Sequence, residues 1–236
     1  MTALAWTGLR GTEGSALGGV SYVFAKLRRS VSASLYGGVL PQDLRPDQRR
    51  ALWPAAADLG PEHVGNCRVY PNRSQPLELI ARGAACAEVG IFRCDFSAEI
   101  LAREPSELHL IDIDPQWLAV AQERFPAEIA SGQVVLRQGD SSTILRSLPP
   151  ASLDWIYIDG DHTFEGCKAD LEAARLCLKP AGLIALNDYT FWGPSDFCKY
   201  GVMEAVNEFC VTHQFEFVYF ALQGRGYHDV GIRKIG

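Results

Sequence analysis

Five short apolar runs, each followed by polar residues, constrain the fold of this chain more than any other feature of its sequence. The runs lie at 84–90, 108–113, 134–137, 153–158 and 183–186. Segments with helical spacing separate them, so each run and the segment after it are typical of a βα repeat. Continuous apolar runs of this length indicate parallel strands that are buried on both faces. The sequence therefore predicts an open α/β sheet covered by helices.

The C-terminal part of the chain departs from this repeat. A helix predicted over 202–211 is followed by two apolar segments, 215–221 and 228–233, which are close enough in sequence to pair as a hairpin. We therefore predict a Rossmann-like, doubly wound α/β fold. Its mostly parallel, seven-stranded sheet is expected to end in a C-terminal antiparallel hairpin.

Residues 1–75 are less regular than the rest. They are rich in glycine up to residue 19, and prolines such as Pro41, Pro46 and Pro54 then follow at short intervals. Short helices fit between the prolines, for example over 47–58. We predict that residues 1–75 form a partly helical extension or lid and that residues 76–236 form the main domain.

Composition excludes several classes of function. The 22 basic residues are scattered and are outnumbered by 28 acidic ones, giving a net charge of −6, so the chain is not expected to bind nucleic acid. No apolar run approaches the ~20 residues that span a bilayer, and no secretory leader is evident. Seven cysteines without a C-x-x-C pair suit neither a disulfide framework nor a zinc site. We expect a cytoplasmic protein without membrane contact, and formation of a homo-oligomer is an open alternative.

Polar side chains follow every predicted parallel strand at its carboxyl end. They are Glu88, Asp112 with Asp114, Asp140, Asp159 with Asp161 and His162, and Asn187 with Asp188. Any one of them alone would be read as a solvated loop residue or a helix cap. In open α/β sheets, however, ligands bind along this edge, and acids gathered there without a ligand would repel one another. The pattern predicts a binding site.

Four segments at this edge resemble class I S-adenosylmethionine-dependent methyltransferases. They are EVGIFRCDFS at 88–97, GDS at 139–141, IDGDHTFEG at 158–166 and LNDY at 186–189. The resemblance covers about residues 76–236, and within the family it is strongest to O-methyltransferases that modify sugar hydroxyls and other small molecules, including metal-dependent ones. It implies that residues 76–236 form an S-adenosylmethionine-binding catalytic domain.

The resemblance also implies a set of cofactor-binding residues: Glu88, Gly90, Phe92, Ser97, Asp112, Asp140, Ser141 and Asp159. Gly90 would let the first turn pass close to the methionyl tail, and Asp112 could accept the ribose hydroxyls. Phe92 and Cys94 depart from the E-x-G-x-G-x-G form of the family's first motif. A nicotinamide-binding Rossmann domain is the competing interpretation, but of its G-x-G-x-x-G glycines only Gly90 is present.

Methyl transfer to an alcohol requires alignment of the acceptor and removal of its proton. Asp159, Asn187 and Asp188 offer oxygen ligands that suit Mg²⁺, and metal-dependent relatives hold their metal at the matching positions. Direct hydrogen bonding to the substrate without a metal is the alternative. His162, three residues after Asp159, is predicted to act with it in catalysis as a general base.

The sequence thus predicts an S-adenosylmethionine-dependent O-methyltransferase that acts on a hydroxyl of a small molecule such as a sugar, a polyol or a catechol-like compound, assisted by Mg²⁺ and His162. Two alternatives remain. One is a metal-independent N-methyltransferase of small amines, and the other is a cofactor-binding protein without catalytic activity.

Overall fold

Eight strands form one mixed sheet in the computed structural model, which describes residues 56–193, 198–224 and 226–236. The strands are β1 (Arg68–Tyr70), β2 (Ala85–Val89), β3 (Glu107–Asp112), β4 (Val134–Gln138), β5 (Leu153–Ile158), β6 (Leu178–Leu186), β9 (Phe215–Ala221) and β10 (Asp229–Lys234). Their order is β1-β9-β10-β6-β5-β2-β3-β4, while β7 (Trp192–Gly193) and β8 (Cys198–Lys199) pair separately.

The five predicted βα strands, β2 to β6, are parallel to one another. The strand order reverses at β2, which pairs with β3 on one side and with β5 on the other. A crevice opens at such a switch point, outside the carboxyl ends of the strands. The predicted C-terminal hairpin is also confirmed, since β10 pairs antiparallel with both β9 and β6.

Helices cover both faces of the sheet. They are α1 (Pro61–Val64), α2 (Asp95–Leu101), α3 (Pro115–Arg124), α4 (Pro126–Ser131), α5 (Ser141–Ser147), α6 (Phe164–Cys177) and α7 (Val202–His213), with a 3₁₀ helix at Gln75–Leu79. Leu171 of α6 and Phe209 of α7 pack in one core, and Ile100 of α2 and Leu118 of α3 pack in the other. The predicted α/β class is therefore confirmed. Within the described residues, none of these helices is long and apolar enough to cross a bilayer.

The prediction of seven strands was wrong by one, because β1 adds an eighth strand at the sheet edge. It pairs in parallel with β9 and exposes Arg68 and Val69, burying only Tyr70. A strand of three residues with this pattern carries no periodic signal in the sequence. Residues 56–75 thus contribute to the main sheet, whereas residues 1–55, with most of the predicted helix at 47–58, lie outside the described residues. The lid role of the extension stays a prediction.

Gly90 is required where the β2 turn crosses the end of β5. Its φ is +78°, and a Cβ there would lie 2.0 Å from the carbonyl oxygen of Asp159. Gly132 has nearly the same φ, +80°, but a Cβ there meets nothing within 4 Å. Substitution of Gly132 therefore measures the cost of the left-handed backbone alone, whereas substitution of Gly90 adds the cost of the steric clash.

We expect Gly132→Ala to lower the free energy of unfolding by about 1–2 kcal/mol, the cost of a left-handed alanine. Gly90→Ala should lower it by about 2–5 kcal/mol, because overpacking adds about 1–3 kcal/mol. Denaturant unfolding of both variants measures the difference. Equal losses in the two variants would contradict the close approach of the two turns.

Candidate functional site

The carboxyl ends of β2, β3, β4 and β5 border a cleft of about 700 Å³. This volume lies in the range of pockets that bind small organic ligands. The cleft is lined by six of the residues predicted to bind the cofactor: Gly90, Phe92, Asp112, Asp140, Ser141 and Asp159. The structure therefore brings together residues that the sequence places on four separate strands.

Asp112 is held in a fixed orientation at the end of β3. Its Oδ2 accepts a hydrogen bond from the backbone N–H of Ile91 at 3.0 Å, and its Oδ1 accepts one from Asp114 at 2.9 Å. A carboxylate has about four lone-pair positions, so both oxygens can still accept ligand hydroxyls. This geometry suits a pair of ribose hydroxyls.

Asp140 and Ser141 combine a structural role with their position at the cleft. Asp140 caps α5 by accepting from the Thr143 N–H at 2.8 Å, and hydrogen bonds from Thr143 and Ser142 lower its pKa. The Ser141 hydroxyl donates to Asp170 Oδ1 at 2.6 Å, and burial raises the pKa of Asp170 to about 6. Asp140 is therefore a helix cap, the role that an isolated acid at this position would suggest. Its side chain is also exposed at the cleft.

Three alternate residues of the first turn have left-handed backbone. Gly90, Phe92 and Cys94 have φ values of +78°, +41° and +61°. Glycine adopts such values without steric cost, which explains why relatives place glycines here and why the substitutions in this chain strain the turn. The Phe92 ring is largely exposed and lies 4.6 Å from the ring of Trp117, so the pair forms one wall of the cleft.

Glu88 and Ser97 are buried beside this turn. Burial raises the pKa of Glu88 to about 8, although the neighbouring Ser97 hydroxyl acts to lower it. Within the described residues, Glu88 Oε2 has no hydrogen-bond partner at normal distance. A buried polar atom without a partner is costly, so a ligand that supplies one would be stabilised here. The ammonium group of a methionyl tail would satisfy Glu88. The site therefore fits S-adenosylmethionine both at Asp112 and at Glu88.

A second cluster adjoins the cleft at the ends of β5 and β6. His162 Nε2 lies 3.3 Å from Asp159 Oδ1 and 3.1 Å from Asp188 Oδ2. The ligand atoms of these three residues all lie within 4.8 Å of one another. Asn187 instead donates its amide N–H to Asp159 Oδ1 at 3.0 Å and accepts from Gln223 at 3.3 Å. Asn187 thus adjoins Asp159, and His162 lies beside the two carboxylates. The metal-ligand role of Asn187 stays a prediction.

His162 carries a proton at neutral pH in this arrangement. Burial disfavours the charge, but hydrogen bonds to Asp159 and Asp188 and their negative charges outweigh it and raise its pKa to about 10. The ring also stacks on Tyr200, with centroids 4.6 Å apart and planes at 14°. A protonated imidazole cannot accept a proton, so the general-base role predicted for His162 requires that this proton leave first.

Sequence reasoning missed the residues behind this cluster. Gln223 donates to both Asn187 and Asp229, and Tyr157 donates to Asp229 Oδ2 at 2.8 Å. Asp229 is 1% exposed, and burial raises its pKa to about 7. A hydrogen-bonded chain thus runs from Asp159 into the core. The one local signal was Asp229, an acid next to the apolar residues of the last strand.

Residues 87–189 match a family model described as a methyltransferase domain. The match contains every residue that lines the cleft and the whole cluster of Asp159, His162 and Asp188. It covers less than half of the chain. This segment is similar to a methyltransferase domain. The match supports the prediction of an S-adenosylmethionine-dependent methyltransferase. No curated protein that was compared matches the sequence.

Solved structures share the fold of this chain at low sequence identity. The pyocyanin biosynthetic protein PhzM is 18% identical with a TM-score of 0.53, and the match covers 69% of this chain and 54% of PhzM, about half its length. A putative rRNA methylase from Clostridium thermocellum is 14% identical with a TM-score of 0.57, and the match covers 72% of this chain and 98% of that protein. A precorrin-6y C5,15-methyltransferase from Geobacter metallireducens GS-15 is 19% identical with a TM-score of 0.52, and the match covers 69% of this chain and 85% of that protein. The names of these three proteins differ in substrate, so the shared fold does not specify the acceptor.

The raised pKa of His162 predicts a stability that depends on pH. Because the folded-state pKa of about 10 exceeds the ordinary value of 6.5, the proton stabilises the fold fully below about pH 6.5 and is lost as pH rises towards 10. In chelator, wild-type thermal stability should fall over this window more steeply than that of His162→Gln. NMR of the ring should show protonation through neutral pH, and a midpoint near 6.5 would contradict the ion pairs.

Proposed function

We propose that this methyltransferase transfers the methyl group of S-adenosylmethionine to a hydroxyl of a small molecule such as a sugar, a polyol or a catechol-like compound. One observation carries the proposal: Asp159, His162 and Asp188 converge immediately beside the cofactor cleft. Asp159 belongs to both places, since it lines the cleft and accepts from His162. An acceptor held at this cluster would lie next to the bound cofactor.

The cluster favours a hydroxyl over an amine as acceptor. A neutral amine attacks the methyl carbon without first losing a proton, whereas an alcohol is a weak nucleophile until its proton is removed or shared. Two carboxylates and an imidazole in one half-buried cluster supply groups for this task. The net charge of −6 further supports a small molecule over a nucleic acid as the acceptor.

The donor set also fits a divalent cation. Asp159 and Asp188 offer carboxylate oxygens, which Mg²⁺ and Mn²⁺ prefer, and His162 adds a nitrogen. Such a cation would polarise an acceptor hydroxyl and make it more acidic. Asp188 is only 6% exposed, and without a cation its charge is balanced by protonated His162.

The remaining residues of the cluster fix its geometry. Asn187 and Gln223 orient Asp159 through consecutive hydrogen bonds, and Tyr200 stacks against His162. Once the proton between the two carboxylates is lost, His162 presents a neutral nitrogen that can coordinate or accept a proton. These contacts hold the groups in place before the acceptor arrives, which lowers the entropic cost of alignment.

Metal removal and substitution of Asp188 test the proposal. With an acceptor found by screening hydroxylated compounds, turnover should be lost in chelator and restored by Mg²⁺ or Mn²⁺. Asp188→Asn should reduce turnover by about 10²–10⁴-fold, the range for loss of a positioned acid–base group, while calorimetry shows unchanged S-adenosylhomocysteine affinity. Asp154→Asn, at the other end of β5 and paired with Lys179, is the control and should keep full turnover.

Full turnover after exhaustive chelation would contradict the metal, leaving the carboxylates to contact the substrate directly. Methylation of amines and of no hydroxyl compound would contradict the acceptor class. Either result would leave the cofactor site as described.

A further inference from the structure

Arg73 enters the site from outside the matched methyltransferase segment. It lies between β1 and the 3₁₀ helix, and its guanidinium carbon is 4.6 Å from the centroid of the Phe96 ring. Phe96 lies in the first turn of α2, and its ring centroid is 4.4 Å from that of Tyr157. Arg73 is thus placed beside the strand ends that border the cofactor cleft.

The guanidinium of Arg73 is half-buried and lacks an ion-pair partner. It takes part in none of the ion pairs found within the described residues. Burial lowers its pKa, but Tyr157, Asp229 and Asp159 outweigh this and raise it. Arg73 therefore places a positive charge near these groups, and the guanidinium N–H groups that do not contact Tyr157 can donate to a ligand.

Glu88 is the complementary feature. Its carboxyl group and Arg73 are close enough for their charges to act on each other, and its buried Oε2 has no partner within the described residues. Among the described residues, Glu88 Oε2 is a buried acceptor without a partner and Arg73 is a guanidinium without an ion pair. They match the two ends of an α-amino acid, the ammonium and the carboxylate. Asp112, at the ribose position, lies on the neighbouring strand.

We propose that Arg73 binds the carboxylate of the methionyl part of S-adenosylmethionine. The planar guanidinium offers parallel N–H donors that match a carboxylate better than any other side chain does. Its stacking on Phe96 restricts the orientation of the fork before the ligand arrives. The inference depends on the cofactor alone and on neither the metal nor the acceptor.

A competing role is charge balance alone. Arg73 could simply offset the carboxylates of Glu88, Asp159 and Asp229, all of which act on it or are acted on by it. In that case its removal would leave the affinity for S-adenosylhomocysteine, whose tail has no net charge, nearly unchanged and would favour a ligand that carries only the ammonium. The two roles therefore predict different responses to a ligand that lacks the carboxylate.

The test is a cycle of two proteins and two ligands, measured by calorimetry in the presence of chelator. Wild type should bind decarboxylated S-adenosylhomocysteine, which keeps the amine, about 10- to 100-fold more weakly than S-adenosylhomocysteine, as expected for loss of a charged hydrogen bond. Arg73→Gln should weaken the binding of S-adenosylhomocysteine by a similar factor. It should bind the decarboxylated analogue about as well as wild type does, so the two losses are not additive.

Controls make each result decisive. Arg82→Gln removes an exposed arginine paired with Glu104 and should leave both affinities unchanged. Arg73→Lys, which keeps the charge and loses the fork, should restore part of the affinity, and thermal unfolding verifies that each variant is folded. Unchanged S-adenosylhomocysteine affinity in Arg73→Gln, or equal weakening of both ligands, would overturn the proposal. Failure of wild type to bind S-adenosylhomocysteine would instead contradict the cofactor assignment itself.

Discussion

Negative charge gathered at one edge of the sheet is the constraint on which the rest of this structure depends. Parallel pairing of β2 with β5 and of β5 with β6 places Glu88, Asp159 and Asp188 at neighbouring strand ends. Asp229 joins them from the antiparallel strand β10. Carboxylates in half-buried surroundings repel one another and lose hydration, so the fold must balance or neutralise them.

The structure does both. His162 is protonated between Asp159 and Asp188, and Arg73 places a second positive charge near Asp229 and Glu88. The charge of Arg73 only partly offsets the burial of these two carboxyl groups, which raises the pKa of Glu88 to about 8 and that of Asp229 to about 7 and favours their neutral forms. Such divergent values among neighbouring acids are characteristic of functional sites. The proton on His162 thus occupies the position at which a divalent cation would balance the same charge.

The turn after β2 passes close to the end of β5, and this contact determines the backbone conformation around the cleft. Gly90 passes so close to Asp159 that no side chain fits between them, and Phe92 and Cys94 continue the turn with left-handed φ. Strain of this kind persists only where packing on all sides enforces it, and it gathers at sites of function. In this chain the strained Phe92 supplies an aromatic wall that glycine would not.

The sequence was sufficient to predict β2 to β6 and the acids at their ends, because continuous apolar runs and the residues that follow them are local signals. It was also sufficient to indicate the type of domain that the family model matches at 87–189, since the motifs at 88–97 and 158–166 are local too. It could not reveal Arg73, Gln223 or Asp229, which join the site only through tertiary packing of β1, β9 and β10. Nor could it reveal that Asn187 contacts Asp159 through its nitrogen or that His162 holds a proton, since both depend on interatomic distances.

Proton release on metal binding tests the central claim most directly, because it needs neither acceptor nor turnover. Calorimetric titration of the metal-free protein with Mn²⁺ or Mg²⁺ near neutral pH, in buffers of different ionisation enthalpy, gives the number of protons displaced per ion. The account predicts release of about one proton per ion in wild type, because His162 is protonated there, and none in His162→Gln. Binding without proton release in wild type, or the same release in both proteins, would contradict it.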